Sequence, residues 1–183
     1  MGDTYDQDKR LVRSRIRAQR AQLAPDEVVR MSEAACARVL ASPWFGHADH
    51  VAAYAAVDNE LDPAALVRAA LSAGKRVYLP AADRARVDFV AIEGAGERSG
   101  PSLAPDADWL LCLVPGLAFE AQGGRLDRGS GWYDRALARH PRAFLVGLAY
   151  EFQLAPHLPQ APWDVRMHAI ATEARLIEGA PGL

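Results

Sequence analysis

Glycine and arginine are concentrated in residues 115–135, where their spacing is suited to phosphate binding. The segment reads PGLAFEAQGGRLDRGSGWYDR and has four glycines within residues 123–131. Closely spaced glycines let several backbone N–H groups point at one anion, and arginine binds phosphate oxygens through two parallel hydrogen bonds. Arg125 and Arg128 supply such groups, and Asp134 is suited to hold a magnesium ion beside them. The segment therefore predicts a site for a phosphate-bearing ligand.

The same pattern has a less specific interpretation, because many surface loops contain glycine only to form turns. The segment lacks the Gly-x-x-x-x-Gly-Lys-Ser/Thr sequence of P-loop proteins and the Gly-x-Gly-x-x-Gly fingerprint of dinucleotide-binding folds. Those two nucleotide-binding classes are therefore disfavoured, and phosphate binding by a loop of another kind stays open.

The elements around the segment predict an α/β protein. Short apolar runs predict buried parallel strands, and helical patterns between them supply the crossovers that such strands require. The predicted strands are residues 50–56, 75–80, 88–92, 108–115, 143–149 and 167–171, and the predicted helices are residues 6–22, 25–40, 61–72 and 131–140. We predict one domain over residues 1–183, a three-layer α/β/α sandwich with a mostly parallel, Rossmann-like sheet. In such sheets, ligands bind beyond the carboxyl ends of the strands, where the Gly-rich segment begins.

The first predicted helix is basic and amphipathic. Its apolar stripe consists of Leu11, Val12 and Ile16, followed by Leu23. The arginines and the lysine of this helix are typical of a solvated helix face, which is the simplest interpretation of such a run.

Composition limits the partners of the chain. Its 183 residues include 21 basic and 23 acidic side chains, and the net charge of −2 favours neither nucleic acid nor an anionic membrane. No apolar run approaches the roughly 20 residues of a membrane span, and the first residues lack the apolar core of a secretory signal. We expect a cytoplasmic monomer or weak dimer that acts on small molecules. Cys36 and Cys112 lie in apolar surroundings and are predicted to be buried rather than metal-binding.

The Gly-rich segment resembles the hallmark of the 5-formyltetrahydrofolate cyclo-ligase family, also called methenyltetrahydrofolate synthetases. That hallmark is Val-Pro-Gly-Leu-Ala-Phe-Asp, two residues, and then Gly-x-Arg-Leu-Gly-x-Gly-x-Gly-Tyr-Tyr-Asp-Arg. The matching positions in this chain are residues 114–119, with Glu120 for the aspartate, and Gly123, Arg125, Leu126, Gly129, Gly131, Tyr133, Asp134 and Arg135. Further matches are Lys9, Arg13, Tyr54, Glu60, residues 74–80, 146–150 and 152–153, Asp164, and residues 172–173, whereas residues 81–105 offer little to align.

The resemblance implies an ATP-dependent ligase that converts 5-formyltetrahydrofolate to 5,10-methenyltetrahydrofolate and releases ADP and phosphate. ATP would phosphorylate the formyl oxygen, after which N10 attacks the activated carbon and phosphate leaves. The implied ATP-binding residues are Lys9, Arg13, Arg125, Leu126, Asp127, Arg128, Gly129, Ser130, Gly131, Trp132 and Tyr133. The implied substrate-binding residues are Tyr54, Ala55, Glu60 and Trp132, the catalytic residues are Arg128 and Tyr133, and the Mg²⁺ ligands are Asp134 and Asp164.

Several of these residues also have a purely structural interpretation. The alternatives are a solvated helix face for Lys9 and Arg13, a helix cap for Glu60, core packing for Tyr54 and Tyr133, and a helix-dipole carboxylate for Asp134.

The chain departs from the family pattern at several positions. Asp127 replaces a glycine, Ser130 occupies a variable position, Trp132 replaces a tyrosine, and Trp163 and His168 replace the polar residues that flank Asp164. A carboxylate at position 127 would repel a triphosphate unless it points to solvent or to metal, whereas a lone histidine is more often structural than catalytic. Two other functions therefore stay open: a nucleotide- or folate-binding homologue with weakened turnover, and another α/β enzyme acting on phosphorylated substrates.

Overall fold

The structure is a computed structural model that describes residues 2–81, 87–92, 100–158, 160–161 and 163–179, with side chains from Gln7 onward. The α-helices are α1 (Gly2–Ala21), α2 (Pro25–Leu40), α3 (Pro43–His47), α4 (Ala64–Ser72) and α5 (Trp132–Leu137), and a 3₁₀ turn covers Glu151–Gln153. The strands are β1 (His50–Ala52), β2 (Arg76–Pro80), β3 (Phe89–Ala91), β4 (Leu110–Val114), β5 (Ala118–Phe119), β6 (Arg125–Leu126), β7 (Phe144–Leu148), β8 (Ala169–Ala171) and β9 (Leu176–Glu178).

Seven strands form one sheet in the order β3-β2-β1-β4-β7-β8-β9. The five inner strands are parallel, whereas β3 and β9 pair antiparallel at the two edges. Because side chains alternate between the faces of a strand, successive residues of β4 enter two separate cores. Leu111 packs with α2 and α4 on one face, and Cys112 packs with α5 on the other. The predicted α/β fold with a mostly parallel sheet is confirmed.

Several element boundaries differ from the predictions. β1 ends at Ala52 rather than residue 56, and the chain beyond it continues into a turn. α4 begins at Ala64 because Pro63 occupies its N-cap and Asp62 Oδ1 accepts a hydrogen bond from the Ala64 N–H at 2.9 Å. The predicted strand 88–92 is present as β3, and residues 93–99 after it lie outside the described residues.

The apolar stripe of α1 is narrower than predicted. Ile16 is fully buried, but Leu11 is 69% exposed, so its assignment to the buried stripe was wrong. The buried face of α1 instead includes Arg20, which is 1% exposed and lies four residues after Ile16.

Both cysteines are buried, as predicted. Burial raises the pKa of Cys36 to about 11 and the pKa of Cys112 to about 12, so both thiols stay protonated at neutral pH. Within the described residues, no helix is long and apolar enough to cross a membrane.

The buried ring of Phe119 packs directly on Gly147 of β7. A Cβ atom at Gly147 would lie 2.5 Å from Phe119 Cε1, which is closer than two carbons can approach. Gly147→Ala should therefore lower the free energy of unfolding by about 1–3 kcal/mol, as overpacking does in other cores. Urea unfolding tests this with Gly46→Ala as the control, since nothing lies within 4 Å of a Cβ atom at that position. Equal stabilities of the two variants would contradict the packing argument.

Candidate active site

Two cavities lie on opposite sides of the segment 127–135, beyond the carboxyl ends of the central strands. The first has a volume of about 440 Å³ and the second a volume of about 460 Å³. Asp127 and Arg135 line both, so this segment forms the wall between them. The second cavity includes Pro80 and Pro115, which are the last residue of β2 and the first residue after β4. Both cavities thus lie at the edge of the sheet where the ligand site was predicted, and ligand binding there stays a prediction.

Four basic side chains from three parts of the chain line the first cavity. They are Lys9 and Arg13 of α1, Arg125 of β6 and Arg135 of α5. Arg13 Nε donates a hydrogen bond of 2.8 Å to the Asp127 carbonyl, which ties α1 to the segment between the cavities. The structure therefore brings the basic helix to the cavity, and contact of these side chains with phosphate stays a prediction.

The four clustered glycines divide into two pairs with different roles. Gly123 and Gly124 lie in the β5–β6 hairpin, where a side chain at Gly123 would overlap the Met167 carbonyl. Gly129 and Gly131 line the first cavity with φ angles of 101° and 64°, a left-handed conformation that other residues rarely adopt. Because α5 has only six residues, the predicted phosphate binding would depend on the loop amides and the cationic side chains rather than on a helix dipole.

Arg125 forms ion pairs with two carboxylates that line the first cavity. Its guanidinium is buried, with Nη2 2.9 Å from Asp134 Oδ1 and Nη1 3.3 Å from Asp127 Oδ2. The guanidinium also lies 5.7 Å from the ring centre of Tyr133. The charge of Asp127 is therefore partly compensated within the protein, which weakens the expected repulsion toward a triphosphate.

The two predicted magnesium ligands both line the first cavity. Asp134 Oδ1 is engaged by Arg125, and Asp164 Oδ2 accepts a hydrogen bond of 2.8 Å from the Ala161 N–H. Within the described ranges, no group of three or more His, Cys, Asp or Glu residues is arranged to hold a metal. Mg²⁺ commonly takes one or two carboxylates together with phosphate oxygens and water. The aspartates fit a magnesium ion that arrives with a phosphate ligand.

Glu60 lies in the second cavity between two arginines. Its carboxylate is nearly buried, with Oε1 2.9 Å from Arg128 Nη2 and 3.5 Å from Arg20 Nη2. Oε2 accepts a hydrogen bond of 3.2 Å from the Val57 N–H. Since α4 begins only at Ala64, Glu60 does not cap that helix. The structure thus excludes the helix-cap interpretation, and substrate binding by Glu60 stays a prediction.

Arg128 lies in the second cavity, not among the residues that line the first. Its Nη1 is 2.8 Å from Asp58 Oδ2, and its Nη2 contacts Glu60. The Asp127 carboxylate does not pair with the Arg128 guanidinium and instead accepts a hydrogen bond of 2.6 Å from the Arg128 backbone N–H. The predicted contact of Arg128 with a transferred phosphoryl group requires the side chain to leave Glu60.

Aromatic residues form one side of the second cavity. They are Tyr54, Trp132 and Tyr133, and Ala55 also contributes to the lining. The Tyr54 hydroxyl donates a hydrogen bond of 2.5 Å to the Leu61 carbonyl, and Trp132 packs edge to face on Phe89 and Tyr133. Desolvation raises the pKa of both tyrosines well above 10, so both stay protonated. Tyr133 can donate a hydrogen bond or pack on a ligand, but it cannot serve as a base at neutral pH.

The departures at positions 163 and 168 have different consequences. His168 Nδ1 accepts a hydrogen bond of 2.9 Å from the Leu145 N–H, and its ring stacks on Phe144 at 4.9 Å. Burial lowers the pKa of His168 below 6.5, so the ring is neutral and structural. Trp163 is 76% exposed and lies at the first cavity, beside Asp164.

Two residues that contact the site were missed in the sequence. Arg20 donates hydrogen bonds to the turn that carries Glu60, and Asp58 of that turn binds Arg128. The spacing of Arg20 from Ile16 was a usable signal, since it places an arginine on the buried face of α1. Asp58 gave no such signal, because a polar turn after a strand is common.

Comparisons with known proteins agree with the sequence resemblance. A model of the 5-formyltetrahydrofolate cyclo-ligase family matches residues 5–173. The 5-formyltetrahydrofolate cyclo-ligase of Escherichia coli K12 is 31% identical over 89% of this chain and 99% of that relative. The Mycolicibacterium smegmatis enzyme of the same name is 32% identical over 81% of this chain and 86% of the relative.

Solved structures of similar proteins share the fold. The 5,10-methenyltetrahydrofolate synthetase of Aquifex aeolicus has a TM-score of 0.81 and 30% identity, and the alignment covers 96% of this chain and 94% of the other. The synthetase of Mycoplasma pneumoniae has a TM-score of 0.75 over 91% of this chain and 99% of the other. At 22% identity, the latter similarity supports the fold alone.

Proposed function

The chain belongs to the 5-formyltetrahydrofolate cyclo-ligase family, and we propose that it converts 5-formyltetrahydrofolate to 5,10-methenyltetrahydrofolate at the expense of ATP. One observation of the structure carries the proposal. A cationic cavity and a cavity with aromatic residues and Glu60 share the wall formed by residues 127–135. A triphosphate in the first cavity and a pterin in the second would meet at this wall.

The chemistry explains why two adjoining cavities are useful. The formyl oxygen is a poor leaving group and must be activated before it can depart. It therefore attacks the γ-phosphorus of ATP, and ADP departs. N10 then attacks the activated formyl carbon and loses its proton, the bond between that carbon and the oxygen breaks, and inorganic phosphate leaves. The protein must therefore hold the formyl oxygen in line with the γ-phosphate and stabilise the charge that develops there.

The residues of the first cavity are assigned to ATP. Lys9, Arg13 and Arg125 supply positive charge, and the backbone of Gly129 and Gly131 allows close approach of the phosphates. Leu126 and Asp127 also line this cavity, and Ser130, which lines the second cavity, completes the proposed ATP-binding loop. Asp134 and Asp164 would hold magnesium, which when bound neutralises phosphate charge and orients the γ-phosphate.

The residues of the second cavity are assigned to the folate. The pterin ring would pack against Tyr54, Ala55 and Trp132, while Glu60 accepts hydrogen bonds from pterin N–H groups. Tyr133 is proposed as a neutral hydrogen-bond donor or packing surface near the reacting atoms, because its hydroxyl does not ionise. Arg128 is proposed to stabilise the transferred phosphoryl group.

The two alternative functions are weaker than this one. Weakened turnover was suggested by Asp127 and His168, but Asp127 is ion-paired with Arg125, and His168 accepts a hydrogen bond from the Leu145 N–H and stacks on Phe144. No observation on the described residues favours another α/β enzyme that acts on phosphorylated substrates.

A direct assay tests the proposed function. Purified protein with Mg-ATP and 5-formyltetrahydrofolate should produce methenyl absorbance and an equal amount of ADP, and omission of ATP should abolish both. Binding of both ligands without product at high protein concentration would support the weakened homologue instead. Absence of binding and of product would overturn the proposal.

Lys9→Ala should raise the KM for ATP about tenfold or more, because a charge-assisted hydrogen bond contributes about 1.5–3 kcal/mol. The KM for 5-formyltetrahydrofolate should stay within about twofold, since Lys9 lines only the first cavity. Arg10→Ala is the matched control, because Arg10 is exposed on the same helix and lines neither cavity. Equal KM values for ATP in the two variants would show that Lys9 belongs to a solvated helix face and does not bind ATP.

A further inference from the structure

A buried arginine lies behind the turn that presents Glu60. The guanidinium of Arg20 donates to the Asp58 carbonyl from Nε at 2.9 Å and from Nη2 at 2.8 Å. Nη2 also lies 3.1 Å from the Val57 carbonyl and 3.5 Å from Glu60 Oε1. Arg20 is 1% exposed and is not among the residues that line either cavity. It contacts the substrate site only through the turn and through Glu60.

The turn itself has an unusual backbone that Arg20 helps to fix. Asp58 and Asn59 both have φ angles of 52°, the left-handed conformation that non-glycine residues adopt infrequently. Such conformations persist when the surrounding structure holds them. Asn59 Nδ2 donates a hydrogen bond of 2.9 Å back to the Arg20 carbonyl, so α1 and the turn are tied in both directions.

The two arginines beside Glu60 differ in their freedom to move. The Arg20 side chain is 1% exposed and hydrogen-bonded to backbone carbonyls, whereas the Arg128 side chain is 35% exposed and is bound by the carboxylates of Asp58 and Glu60. A ligand that hydrogen-bonds Glu60 Oε1 must compete with Arg128. A nearly buried carboxylate still needs a compensating charge when that partner leaves, and Arg20 can supply it without moving.

Stability alone gives a poor account of this arginine. Its Nη1 is buried and has no hydrogen-bond partner in the portion of the chain that the structure describes. A buried cation with an unmatched N–H group generally stabilises a fold less than an apolar side chain of similar volume. The arrangement is better explained by its effect on Glu60, since Arg20 holds the turn that carries Glu60 and lies beside its carboxylate.

We infer that Arg20 is a positioning residue for substrate: it fixes the Val57–Glu60 turn and compensates Glu60 while Arg128 exchanges with the ligand. The inference rests on the proposed function, because it takes the ligand of Glu60 to be the N–H edge of a pterin. It differs from the assignments above in giving a role to a residue that touches neither ATP nor folate.

The test compares Arg20→Met and Arg20→Lys with the control Arg17→Met, since Arg17 is an exposed arginine on the same helix. Arg20→Met should raise the KM and the Kd for 5-formyltetrahydrofolate about tenfold or more, as expected for loss of a charged hydrogen-bonding partner. The KM for ATP should change less than about twofold. Arg20→Lys should give a smaller increase than Arg20→Met. It should not restore the native values, because one ammonium group cannot replace the planar guanidinium at both carbonyls.

A double-mutant cycle shows whether Arg20 acts through Glu60. In a Glu60→Gln background, Arg20→Lys should change the affinity for folate much less than it does in the native chain. If Arg20→Met does not fold, Asn59→Gly carries the test, because glycine keeps the left-handed backbone but removes the bond to the Arg20 carbonyl. Asn59→Gly should also raise the KM for folate while leaving the KM for ATP unchanged.

The outcomes separate this inference from the proposed function. A native chain that neither binds nor converts 5-formyltetrahydrofolate would overturn both. A native chain that converts it, with KM values for ATP and folate that rise together in the Arg20 variants, would leave the function intact and show a structural role for Arg20. An undiminished effect of Arg20→Lys in the Glu60→Gln background would also overturn the inference.

Discussion

Replacement of Asp134 by asparagine is expected to lower turnover about a thousandfold, which corresponds to several kcal/mol of lost charge stabilisation. The amide preserves the size of the side chain and can still accept a hydrogen bond from Arg125, but it lacks the negative charge that a hard cation requires. Steady-state rates over a range of magnesium concentrations measure the effect. Circular dichroism should show that the fold is retained.

The matched control for this variant is Asp127→Asn. Asp127 is the other carboxylate beside Arg125, at 3.3 Å, but it is not a proposed metal ligand. If Asp134 acts through magnesium, Asp127→Asn should keep far more activity than Asp134→Asn. Equal losses would show that Asp134 matters as a partner of Arg125, and high activity of Asp134→Asn at ordinary magnesium would mean that the metal is bound elsewhere.

Arg128→Ala is expected to lower kcat by about two to three orders of magnitude while changing the KM for ATP much less. A preorganised donor that acts where charge develops contributes mainly to the transition state. The guanidinium is held by Asp58 and Glu60 in the structure, so it must leave Glu60 before it can contact the phosphoryl group. Arg128→Lys should restore little activity, because an ammonium group cannot form the same paired hydrogen bonds.

The control for Arg128 is Arg139→Ala. Arg139 is an exposed arginine that donates to the Val87 carbonyl at 2.8 Å and lines neither cavity. Its loss should leave both kcat and the KM values near those of the native chain. An equal decrease of ATP affinity and of kcat in Arg128→Ala would assign Arg128 to ground-state binding of phosphate.

The sheet was predictable because its signal is local. Buried parallel strands appear as short apolar runs, and five inner strands follow that rule. The β5–β6 hairpin was missed because each strand has only two residues, too few to show alternation. β9 was missed for a related reason, since its three residues are at most partly buried and follow β8 after the short connection 172–175.

The composition of the site was more predictable than its connections. The resemblance to the family predicted Lys9, Arg13, Glu60 and Asp134 as site residues. The structure places each of them at one of the two cavities. The pairing of Arg125 with two aspartates and of Arg128 with Glu60 depends on which side chains the fold brings together. A single sequence does not show which distant side chains come into contact, so the position of Arg128 beside Glu60 in the second cavity was not predicted.

The central claim is that the formyl oxygen meets the γ-phosphate of ATP across the segment 127–135. The most direct measurement uses 5-formyltetrahydrofolate labelled with ¹⁸O in the formyl group and follows the label by mass spectrometry. The account predicts that the inorganic phosphate released in each turnover carries one ¹⁸O atom, in an amount equal to the methenyl product. Unlabelled phosphate, formed while the methenyl product accumulates, would mean that ATP is cleaved by water and would contradict the account.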